Sequence, residues 1–99
     1  MTCGFSKYEL YIIWKLCHRN TWCKKHVDRR DLVKGRPKHE IDLYDDAIRS
    51  LVRGMFITEY RSQGRSDICI PKQNRNKALV ALKSHQDEYE FIKNLEYIT

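Results

Sequence analysis

Residues 41–70 read IDLYDDAIRSLVRGMFITEYRSQGRSDICI, and a change of period inside this stretch decides the fold. Leu43, Ala47, Ile48, Leu51 and Val52 recur at three- and four-residue steps, which place side chains on one face of a helix. Asp42 is positioned to cap the first turn, with Asp45 and Asp46 against the positive end of the helix dipole. Gly54 stands where a helix C-terminus favours a residue tolerant of positive φ. Beyond it the period falls from 3.6 to 2. Phe56 to Arg61 and Asp67 to Ile70 are strand candidates, and the SQGRS between them is turn chemistry. The stretch is expected to be a helix, a glycine exit and a β-hairpin.

A helix ending in LVRGMFI and running into a Gly-tipped hairpin resembles the core of a winged helix-turn-helix domain, as in small prokaryotic or archaeal transcriptional regulators. The resemblance covers most of the chain and rests on the order of elements. It implies an α+β, mostly helical fold: a three-helix core, a two- or three-stranded wing hairpin and a C-terminal helix. Residues 1–99 would be one domain, with 74–97 as a helical extension. The helix after Ile41 would be the recognition helix, the hairpin the wing, and the partner duplex DNA.

Outward from this stretch, Ser6 and Glu9 have the spacing of a capping box. Leu10, Ile13, Trp14 and Cys17 follow at helical spacing, and Tyr8, Tyr11, Ile12 and Leu16 make the opposite side apolar too. A helix apolar on both sides is covered twice, by the core and by either the C-terminal helix or a second subunit. Trp22 and Val27 anchor either a connection or a short strand beside the wing. Residues 28–34 suit a short helix capped by Asp28 and stopped by Gly35. Pro37 disfavours helix at Arg36. After Pro71, residues 74–95 form a further amphipathic segment with a bend near Ser84 and His85.

Ninety-nine residues, 41% of them hydrophobic, suit one modest core and leave little room for a deep substrate cleft. The formal net charge is +6 and it is unevenly spread: +6 over residues 15–40, −2 over 41–59, +5 over 60–83 and −3 over 84–99. A basic domain of this size points to a polyanionic partner. No segment is apolar and long enough to span a bilayer, and the N-terminus does not read as a signal peptide. The expectation is a cytoplasmic protein, where structural disulfides are rare.

Cationic side chains on protruding elements are what phosphate contacts need. The candidate DNA-binding residues are Arg36, Lys38 and His39 in the turn, Tyr44, Arg49 and Arg53 on the recognition helix, and Arg61 and Arg65 on the wing. Affinity is assigned to Arg36, Lys38, Arg61 and Arg65, and specificity to Tyr44, Arg49 and Arg53. Asp42, Asp45 and Asp46 oppose this, since carboxylates in the first turns of a recognition helix repel phosphates. The alternatives are a protein-interaction module of the same fold and a binder of structured RNA.

Cys17, His18, Cys23 and His26 are the one set with a spacing that zinc could use, but Cys17 lies on the apolar face of its helix. No metal or other cofactor is assigned. Cys3 and Cys69 have no near partner in sequence, and alternation with Ile68 and Ile70 would turn Cys69 outward. No catalytic motif is present, so the chain does not read as an enzyme, and no small-molecule ligand is evident. The apolar, acidic tail with Tyr89, Phe91, Ile92, Leu95, Tyr97 and Ile98 could pack on Tyr11 and Ile12, or pair across a two-fold axis. A homodimer would suit a palindromic operator.

Overall fold

The computed structural model describes residues 4–92. Cys3, Leu95, Tyr97 and Ile98, and the last part of the 74–97 extension, lie outside the described residues. The described chain is α+β, with helices α1 (Lys7–His18), α2 (Arg29–Val33), α3 (Ile41–Arg53) and α4 (Arg75–Ser84). Strands β1 (Val27–Asp28), β2 (Thr58–Ser62) and β3 (Arg65–Cys69) form one antiparallel sheet in the order β1–β3–β2.

The capping box closes α1. Ser6 Oγ accepts from the Glu9 amide at 3.1 Å, and Glu9 returns a carboxylate oxygen to the Ser6 amide at 2.8 Å. Leu10, Tyr11, Ile12, Ile13, Leu16 and Cys17 are all buried. Helices α3 and α4 cover α1, and the ring of Phe91 lies 5.5 Å from that of Tyr11. The second apolar side of α1 is therefore covered from within the chain. Asp28 caps α2 by accepting from the Arg30 amide, and Gly35, at φ +82°, follows the helix with the backbone sign only glycine adopts freely.

The face that α3 buries is rotated from the expected one. Tyr44, Ala47, Ile48 and Leu51 are buried, whereas Leu43 is 44% exposed. Both rows fit helical spacing, but the Tyr44 row sets a large ring against Tyr8 and Tyr11 and so buries more apolar area. Asp42 does not cap the helix. A 3₁₀ turn, Lys38–Glu40, runs straight into α3, the cap position falls on Glu40, and Asp42 lies inside the first turn. Gly54 has an ordinary φ of −79°; the left-handed residue at this exit is Met55, at +62°.

The hairpin starts two residues later than the period suggests. Its loop is only Gln63 and Gly64, at φ +50° and +76°, the signs of a type I′ turn that match the twist of paired strands. Val27 opposes Ile68, so the short strand beside the hairpin is formed. The expected helical extension stops at Ser84: α4 breaks at His85, where a bend was expected, and residues 85–92 are turns, not helix, that carry Ile92 into the core.

Cys69 is buried, not outward, and is bonded to Cys23 in a disulfide. The outer side of β3 is covered at that end by the loop after α1, whose Thr21 carbonyl accepts from the Ile70 amide at 2.9 Å. Strand alternation fails there because both faces of the chain are packed.

Candidate nucleic-acid interface

The antiparallel register decides which hairpin residues share a face. Val27, Ile68 and Glu59 lie opposite one another, as do Asp28, Asp67 and Tyr60. Side chains alternate along a strand, so Arg61 shares the face of Glu59 and Arg65 the face of Asp67. The two wing arginines therefore leave the hairpin from opposite faces. The Glu59 face turns towards the helices: Arg29 of α2 reaches the Glu59 carboxylate at 2.9 Å, the Asp45 carboxylate of α3 at 3.5 Å and the Asp45 carbonyl oxygen at 3.3 Å.

Three of the expected cations, Arg49, Arg61 and Arg65, are already paired. Arg49 meets Asp46 at 3.1 Å, Arg61 meets Glu59 at 3.5 Å, and Arg65 meets Asp67 at 2.7 Å and Asp28 at 3.8 Å. The Asp67 carboxylate holds the Arg65 guanidinium above its ordinary pKa, and hydrogen bonds from Arg30 hold the Asp28 carboxyl below its own. His39 is exposed, its Nε2 3.5 Å from the Glu40 carboxylate. Lys38 and Arg53 are exposed and have no ion pair among the described residues.

Two expected residues turn inward: Tyr44 fully, Arg36 in part. Tyr44 is 3% exposed, its ring edge-on to Tyr8 at 4.9 Å and to Tyr11 at 5.3 Å. It belongs to the core, not to a recognition surface, because α3 turns the Tyr44 row inward. Arg36 is half-buried with its guanidinium 4.8 Å from the centroid of the Tyr11 ring, in a pocket that Glu40, Tyr89 and Phe91 also line. The cation is drawn to the electron-rich ring face and away from solvent.

The outward side of α3 carries Asp42, Asp46, Arg49, Ser50 and Arg53, with Asp45 half-exposed at its edge. Three carboxylates thus stand against two guanidinium groups. The candidate zinc set is not assembled either. Cys23 is committed to Cys69, Cys17 is buried, and no cluster of three or more metal-ligating side chains occurs among the described residues. Burial pushes the Cys17 thiol up to about 12, which leaves it inert.

Periodicity does not reveal Arg29, which ties α2 to both α3 and the hairpin. No helix among the described residues is long and apolar enough to cross a membrane. No protein family, no curated protein and no solved structure matches the chain.

Proposed function

We propose that this chain is a winged helix-turn-helix protein that binds duplex DNA in transcriptional control as a homodimer. The observation that carries the proposal is the order of elements: helix, short strand, helix, helix, two-stranded ribbon, with the short strand pairing to the second ribbon strand. That is the arrangement the resemblance implies, with α3 as recognition helix and β2–β3 as wing. The net charge of +6 supports a polyanionic partner.

Fluorescence anisotropy with a labelled random duplex tests it. Micromolar binding in low salt is expected, falling steeply as salt rises because each phosphate contact releases counterions. Failure to bind at tens of micromolar in low salt overturns the proposal.

One observation favours a second reading, a protein-interaction module of the same fold. The outward side of α3 carries Asp42 and Asp46 beside Arg49 and Arg53, and Asp46 already neutralises Arg49. A basic partner surface would suit that side better than a phosphate backbone. Competition by duplex RNA against duplex DNA separates the third alternative, a structured-RNA binder.

A further inference from the structure

Two stretches of the chain, residues 10–27 and 68–86, each carry four Lys or Arg and no Asp or Glu. They are far apart in sequence and meet in space. The Cys23–Cys69 disulfide joins them with Cα atoms 4.9 Å apart. The Ile70 amide donates to the Thr21 carbonyl, and the Arg75 guanidinium lies 5.5 Å from the centroid of the Trp22 ring. Lys24 and Lys25 follow one cysteine directly, and Lys72 follows the other by three residues; all three are exposed.

The same ledge continues to the hairpin. Arg19, Lys25, His26 and Arg65 line one pocket of about 310 Å³, which Thr21 also lines. The Thr21 hydroxyl is buried and has no hydrogen-bond partner among the described residues. Asp28 and Asp31 line that pocket too, but Arg30 already holds the Asp28 carboxylate at 3.0 Å.

We propose that this disulfide-joined ledge, centred on Lys24, Lys25 and Lys72, is the main surface that grips the phosphodiester backbone of duplex DNA. The inference rests on the DNA-binding function proposed above and relocates its affinity away from α3. A cation paired with a carboxylate must give up or share that partner to meet a phosphate, and four arginines around α3 and the hairpin, Arg29, Arg49, Arg61 and Arg65, are so paired. Lys24, Lys25 and Lys72 have no ion pair among the described residues.

The test compares two triple variants of the full chain on a random duplex: Lys24→Gln/Lys25→Gln/Lys72→Gln and Arg49→Gln/Arg53→Gln/Arg61→Gln. Thermal melts followed by circular dichroism verify that both are folded. Loss of three phosphate contacts should flatten the plot of log K against log salt by about 2.7 in the lysine variant, at ~0.9 per contact. The arginine variant should lose less than about 1. A lysine variant that keeps the wild-type slope overturns the ledge and leaves the DNA-binding proposal standing. A wild-type protein that does not bind duplex overturns both.

Discussion

Arg29 holds Glu59 across the junction of helix and hairpin, Nη1 to carboxylate, at 2.9 Å, with the Glu59 side chain only 10% exposed. The same guanidinium reaches Asp45 on α3. One side chain therefore fixes the hairpin's inner face against two helices. Its removal leaves a nearly buried carboxylate with only the exposed Arg61 guanidinium, at 3.5 Å, and the penalty for that is larger than the net worth of the pair. Arg29→Ala should cost about 2 kcal/mol of stability. Adding Glu59→Gln should recover part of the loss, because the poorly compensated charge is then gone. Urea melts of the two single variants and the double variant measure both quantities. Equal stability of Arg29→Ala and wild type would show that the bridge contributes nothing.

The disulfide closes a separation of 46 residues. On the chain-entropy account, a loop of that length removes enough freedom from the unfolded state to stabilise the fold by about 4 kcal/mol. Reduction, or Cys23→Ser with Cys69→Ser, should lower stability by that order, read from urea melts with and without a dithiol reductant. The remaining described cysteine should behave differently. Cys17, buried and with its pKa pushed up to about 12, should resist alkylation at pH 8 in the native protein and react once denaturant is added. Peptide mass spectrometry distinguishes the two states.

Elements with a strong period or a local cap could be read from the sequence, and features set by long-range packing could not. The Ser6–Glu9 box, the Asp28 cap, the hairpin and the break at His85 all depend on residues within a turn of one another. The Cys23–Cys69 pairing depends on where β3 ends relative to a loop 46 residues away, and nothing local carries that information. The same limit applies to the candidate site. Exposed Arg and Lys positions can be listed from the pattern, but their neutralisation by Asp46, Glu59 and Asp67 depends partly on register. Arg36 had every local mark of a turn cation, and only the tertiary placement of Tyr11 turns it inward.

Tyr44 shows how narrowly the rows on α3 are separated. One residue step distinguishes a helix that buries Leu43 from one that buries Tyr44, and aromatic area settles it. Tyr44→Ala should cost about 3–5 kcal/mol, as for other buried aromatic truncations. Tyr44→Phe keeps the ring and should leave both stability and the base preference of any bound duplex unchanged. A selected-site experiment on the Phe variant checks the second point, and an altered consensus sequence would return Tyr44 to the recognition surface.

The exit of α3 gives a prediction opposite to the one its sequence suggests. A glycine after a helix is expected to be required by positive φ, yet Gly54 sits at −79°, and a Cβ there would meet the Ser50 carbonyl oxygen at an ordinary 3.5 Å. Gly54→Ala should therefore be tolerated, and should add about 0.4–1 kcal/mol by restricting the unfolded chain. Met55 carries the left-handed conformation, at φ +62°, with its side chain 80% exposed. A residue with a Cβ is strained there by about 1–2 kcal/mol, of which glycine's greater unfolded freedom offsets about half. Met55→Gly should thus stabilise by about 0.5 kcal/mol, and Met55→Val, β-branched, should destabilise. Thermal melts of the three variants test the assignment together: a destabilised Gly54→Ala beside an unchanged Met55→Val would put the positive φ back on the glycine.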